Sequence, residues 1–160
     1  MKQLLEYRAL LLDRLARQSA ELAEAITAVP AAAQHQRRVE DGYTLHQILA
    51  HIRDLEVLAF VPRLRRILTE DHPVLDAFPS HHWSEADYQS NEATDKILND
   101  FAQAREAALA LLRPLPPEGW NRTSFHAPSG PRAAQWWAER MFTHAQEHLE
   151  EMRRALSATD

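Results

Sequence analysis

The chain has 160 residues, with 18 basic and 23 acidic side chains, nine histidines and no cysteine. That length suits one domain, residues 1–160, with a core large enough to need no staples, and the missing thiols exclude disulfides, thiolate zinc sites and a cysteine nucleophile. A net charge of −5 with scattered basic residues leaves no electrostatic footprint for nucleic acid.

From Lys2 to Asp13 apolar and charged residues alternate irregularly, unlike a secretory signal, and no apolar run approaches a membrane span. A soluble cytoplasmic protein is therefore expected. Three glycines, few β-branched runs and abundant Ala, Leu, Glu and Arg place the fold in the all-α class.

The first predicted helix runs from Gln3 to about Ala28, with Leu4, Leu11, Leu15, Leu22 and Ile26 on its apolar side. Val29-Pro30 ends it, and a polar linker with a solvated His35 continues to Gly42. Thr44 followed by Gln47 is a capping box that opens helix 2. This helix reaches about Leu68 and buries Leu45, Ile48, Leu49, Ile52, Leu55, Leu58, Ala59, Leu64 and Ile67. Pro62 predicts a kink near Leu58, away from the end that carries His51.

Residues 70–91 lack periodicity and include His72, Pro73, Pro79, His81, His82, Trp83 and Tyr88. A connection this long between bundle helices crosses the bundle or covers a site. His81 and His82 read as exposed loop histidines before they read as ligands, and Trp83 and Tyr88 as residues that cap the core or line a pocket mouth. Helix 3 begins between Asn91 and Thr94 and ends at about Leu112, burying Ile97, Leu98, Phe101, Ala104, Ala108 and Leu111 or Leu112. Arg113-Pro114-Leu115-Pro116-Pro117 stops it. A second loop runs through Trp120 and His126 to Gly130, and Pro131 fits the first turn of helix 4, which ends near Leu156.

Helix 4 carries the chemistry. His144 and His148 are four residues apart, so their azimuths differ by about 40° and both rings leave the same side one turn apart, as a chelating pair does. The stripe they occupy is otherwise apolar: Trp137, Met141, Met152 and Ala155. Two imidazoles hold a metal weakly, and a catalytic site uses three protein ligands with an open position. His51 is the third candidate, on the face of helix 2 that carries Ile48, Leu55 and Leu58. It lies about 10 Å from the start of helix 2, and His148 about 12 Å from the end of helix 4, so antiparallel neighbours would bring the three rings to one level. A ferritin-like site is excluded because Met141 and Ala145 stand where its Glu-x-x-His pairs need glutamate, and a zincin because Ala145 follows His144.

The segment Ile48-Leu49-Ala50-His51-Ile52-Arg53-Asp54, followed downstream by a tryptophan-rich helix with His144-x-x-x-His148-Leu149, resembles the DinB/YfiT-like superfamily of metal-dependent helical bundles, from about helix 1 to Arg154. The resemblance implies a four-helix bundle of up-down-down-up topology with a long crossover between helices 2 and 3. It further implies a divalent metal, often zinc or nickel, on His51, His144 and His148, and frequent homodimers. Characterised relatives include thiol-dependent transferases and isomerases that use low-molecular-weight thiols, while many members have no known activity.

Two functions follow as expectations. One is a metal-dependent enzyme, a transferase, isomerase or hydrolase acting on a small molecule, in which neutral imidazoles leave positions for water or a substrate thiol. The other is a non-enzymatic bundle that binds a small ligand or protein partner, its histidines structural or vestigial. Three imidazoles suit zinc, nickel, iron and copper alike. Asp54 and Glu147 are candidate acceptors for a ring N–H, Trp83, Tyr88 and Asn91 would border the site, and Trp137 and Met141 would wall it unless they are simply core.

Overall fold

The computed structural model describes residues 1–78 and 88–157. Leu11, Leu15, Leu22 and Ile26 recur at helical spacing, and α1 (Lys2–Thr27) buries them on one side. A short α2 (Ala31–Gln34) follows. Thr44 then caps α3 (Leu45–Leu55): its hydroxyl accepts from the Gln47 amide at 3.1 Å, and the Gln47 side chain accepts from the Thr44 amide at 2.8 Å. A π-helical segment (Glu56–Phe60) joins α3 to α4 (Val61–Thr69), and the three form one composite rod. The remaining rods are α5 (Thr94–Leu112) and α6 (Ala134–Ser157).

Contacts between the rods set their directions. Arg8 bonds to Gln135, and further along Gln18 bonds to the Phe142 carbonyl, so α1 and α6 are parallel. Arg53 meets Asp100, and Glu56 meets Arg105, so the composite rod and α5 are parallel. Leu11 and Leu15 pack in one cluster with Ala108 and Leu112, whereas Leu22 and Ile26 pack with Ile97 and Phe101, which makes α1 and α5 antiparallel. By the same reasoning Phe60 and Leu64 share a cluster with Trp137 and Met141, while Leu49 and Ile52 share one with Leu149. The topology is up-down-down-up, as expected.

The kink takes a particular form. Pro62 has no N–H and its ring crowds the carbonyl four residues back, and the rod answers by widening into five π-helical residues just before it. The altered winding turns Leu58 outward, 60% exposed, and Phe60 inward, 3% exposed. The expectation that Leu58 is buried is thus overturned, as is the expectation that the disturbance stays clear of the histidines, since Phe60 packs against His144 with ring centroids 5.6 Å apart.

The second linker is a hairpin where a loop was expected. β2 (Thr123–His126) pairs antiparallel with β3 (Gly130–Ala133), and β1 (Val74–Leu75), in the crossover, adds in parallel to β2. Pro131 lies in β3 opposite Phe125 rather than in the first turn of a helix. An edge strand tolerates a residue without an N–H, and Gly130, at φ +74°, supplies the left-handed turn that starts it.

Between the two apolar clusters lies a polar layer. Arg105, 1% exposed, donates to both carboxylate oxygens of Glu56 at 2.6 and 3.1 Å, to the Leu15 carbonyl at 3.0 Å and to the Gln18 side chain. Each charge is paired and each guanidinium nitrogen donates, the condition under which such groups survive in a core. The periodicity of α5 had assigned Ala104 to the core and passed over Arg105.

Candidate metal centre

His51 stands on α3, one turn before the π-helical segment, and His144 and His148 stand on α6. Because the two rods are antiparallel neighbours, the rings converge. Ring centroids are 5.1 Å apart for His51 and His144, 5.1 Å for His51 and His148, and 4.7 Å for His144 and His148. One nitrogen from each lies within 4.8 Å of the others, and the Nε2 atoms of His51 and His144 are 3.2 Å apart. Nitrogens bound at 2.0 to 2.1 Å around a tetrahedral ion would stand about 3.4 Å from one another. The 3.2 Å between His51 and His144 is close to that spacing.

The surroundings keep the His51 and His144 rings neutral, the form in which imidazole binds a metal. Burial, and then the neighbouring His148, lowers the His51 pKa to about 4. For His144 burial is again the first cause, with His148, His51, Arg140 and Arg105 adding to it, and the pKa falls well below the usual imidazole value. His148 faces the Glu151 carboxylate, 2.7 Å from its Nδ1. A carboxylate only accepts, so Nδ1 carries a proton, and in the neutral ring the lone pair is then on Nε2. That tautomer frees Nε2 for coordination.

Glu151 is the acceptor that the sequence reading missed. It lies three residues after His148, a spacing at which helical side chains meet. The two carboxylates expected from sequence, Asp54 and Glu147, each meet an arginine. Asp54 pairs with Arg53 in the groove between the composite rod and α5, and Glu147, on the outer face of α6, lies 3.3 Å from Arg140.

The expected pocket residues also separate. Tyr88 places its hydroxyl 2.6 Å from Nδ1 of His46, whose Nε2 donates to the Glu92 carbonyl at 2.9 Å, so it ties down the start of α3 rather than the triad. Asn91 is exposed in the turn before α5. Trp137 is buried two turns before His144, its indole N–H donating to Ser124 at 3.1 Å, and Met141 is wholly buried in the same cluster. Both are core, and among the described residues Phe60 is the aromatic wall beside His144. Trp83, His81 and His82 lie outside the described residues.

Fold and site together define a four-helix-bundle protein with a three-histidine cluster that could hold a divalent ion. The chain belongs to the DinB superfamily, whose model matches residues 11–152. A curated relative from Oceanobacillus iheyensis, named as a candidate metal-dependent hydrolase, is 30% identical over 89 residues, 56% of this chain and 51% of that protein, so the match spans about half its length. Among solved structures, YfiT from Bacillus subtilis superposes with a TM-score of 0.86 at 18% identity, covering 94% of this chain and 86% of that one. It is described as a candidate metal-dependent hydrolase with an unusual four-helix bundle topology, and at that identity the likeness speaks for the fold.

Proposed function

We propose that this chain is a metal-dependent enzyme acting on a small molecule, with His51, His144 and His148 as the protein ligands of a divalent ion, zinc or nickel first. The observation that carries this reading is the convergence of three imidazole nitrogens within 4.8 Å, from two rods, in surroundings that hold His51 and His144 unprotonated. An ion held by three protein nitrogens has room for a further ligand, and its positive charge makes a bound water or thiol a stronger acid.

The remaining work falls to the chain's own residues. Glu151 holds the His148 ring in the tautomer that presents Nε2 inward, and Phe60, against His144, excludes water from one side of the cluster. With no cysteine in the chain, any thiol comes with a substrate, and a low-molecular-weight thiol is the co-substrate we favour for a transferase or isomerase reaction. Hydrolysis is the variant in which water takes that place. No helix among the described residues is long and apolar enough to cross a membrane. A cytoplasmic location and a homodimer complete the reading.

The test is metal analysis of protein purified without a histidine tag, followed by assays of an electrophilic substrate panel with and without added thiol. One equivalent of metal in the wild type, lost on His51→Ala and on His144→Ala, is the expected result. Full metal content in either variant would refute the ligand set. Bound metal with no turnover under any condition would favour the binding-protein alternative.

A further inference from the structure

The outer side of the composite rod carries a stripe with an apolar middle and charged ends. Asp54, Leu58, Val61 and Arg65 follow one another at steps of four, three and four, the spacing that keeps side chains on one side of a helix. All four line a cavity of about 480 Å³ between this rod and α5, which Val57, Ala104 and Ala107 wall as well. Leu58 and Val57 are among the exposed large apolar residues. Leu58 also borders the cavity of about 320 Å³ on the other side of the rod, toward residues 75–78. It therefore stands as a ridge between two hollows. A lone exposed leucine is ordinary, whereas a ridge flanked by hollows has the shape of a knob beside the hole that a like knob would fill.

The two ends of the stripe differ in sign. At the first, Arg53 and Lys96 face Asp54, Glu92 and Asp100, so three carboxylates against two cations leave a net negative charge. At the other, Arg65 is exposed and forms no ion pair among the described residues. Asp54 and Arg65 are separated by about 16 Å along the axis. Such a surface is complementary to itself. Under a two-fold rotation a second copy lays its rod antiparallel on the first, each Leu58 meets Val61 and the alanines of the other copy, and each Arg65 reaches the acidic end of the other. Every contact then occurs twice, as an isologous interface requires.

We propose that the Leu58 ridge, with Asp54 and Arg65 at its ends, is the docking surface for a second copy of this chain, paired antiparallel along the composite rod. A partner carrying one sign of charge would suit one end and repel at the other, so the charge pattern selects the chain itself. The inference rests on the homodimer named in the function proposed above and on no part of the metal reading. The segment that presents Leu58 outward also carries Phe60 inward against His144, so the contact would brace the backbone behind one wall of the histidine cluster.

Sedimentation equilibrium of the full chain over a range of concentrations is the test. The wild type should dimerise, and Leu58→Asp, at the centre of the contact, should raise the dimer Kd by about tenfold or more. Leu58→Gln repeats the test without a new charge, and circular dichroism and thermal melts of both variants verify the fold. Arg65→Glu should weaken the dimer by setting like charges face to face, and Asp54→Arg combined with Arg65→Glu should restore part of the loss. Leu10→Asp, in the separate groove between α1 and α6, should leave the dimer intact.

A wild type that stays monomeric overturns this proposal together with the homodimer. A dimer unchanged in both Leu58 variants overturns the surface and leaves the homodimer standing. A dimer that Leu58→Asp disrupts but Arg65→Glu does not touch overturns the antiparallel pairing. Metal content is measured on the same samples, and a protein that dimerises through Leu58 without taking up zinc would show that the metal reading alone has failed.

Discussion

At the residue scale, protonation is the lever on the candidate centre. An unfolded histidine takes up its proton near pH 6.5, while burial and His148 hold folded His51 neutral until about pH 4. Between these values the unfolded chain binds more protons, so the metal-free protein loses stability as pH falls from about 6.5 to about 4, with no further loss through His51 below that. Denaturant melts at pH 7 and pH 5 on the wild type and on His51→Gln check this. The wild type should lose more than the variant, and equal losses would show that His51 is not a desolvated imidazole. Glu151 gives a second prediction. Removing an outer carboxylate from a ligating histidine lowers metal affinity by about 10 to 100-fold, so Glu151→Ala should do so, while Glu147→Ala should leave affinity unchanged. Competition with a chromophoric chelator measures both.

At the element scale, the composite rod and the polar layer determine how the site is built. A Pro62-induced π-helical segment carries both Glu56, which engages Arg105, and Phe60, which reaches His144. One local irregularity thus places a core ion pair and the wall of the site. Breaking a buried pair from one side leaves an uncompensated charge, so Arg105→Ala should cost about 3 to 5 kcal/mol. The double change Glu56→Leu with Arg105→Met should recover much of that, and a single mutant no less stable than wild type would show that the layer is solvated. The start of the rod depends on its cap. Thr44→Ala should cost about 1 kcal/mol in denaturant unfolding, with His51 still in place because the loss is confined to the first turn.

For the molecule as a whole, a site shared between two rods ties metal binding to the fold. An ion that binds the native chain alone stabilises it by about 2.7 kcal/mol at a concentration of 100 times its Kd, which for a domain of this size raises Tm by roughly 5 to 10 °C. Thermal melts with and without zinc or nickel should show that rise in the wild type and lose it in His144→Ala. An equal rise in both would mean that the ion binds elsewhere.

Periodicity along the chain determined the four rods and their limits to within a few residues, the cap at Thr44, the interruption before Pro62 and the inward faces of His51, His144 and His148. Each is a property of neighbours within about one helical turn, where backbone geometry relates sequence distance to direction in space. What the tertiary structure decided has its partners far apart in the chain or depends on a rotation that accumulates along a rod. Glu56 finds Arg105 and Gln18 on two other rods, β1 finds β2 about fifty residues away, and Phe60 takes the place that simple periodicity gave to Leu58. A helix reports which residues share a face, and only the packed bundle determines which neighbour that face meets.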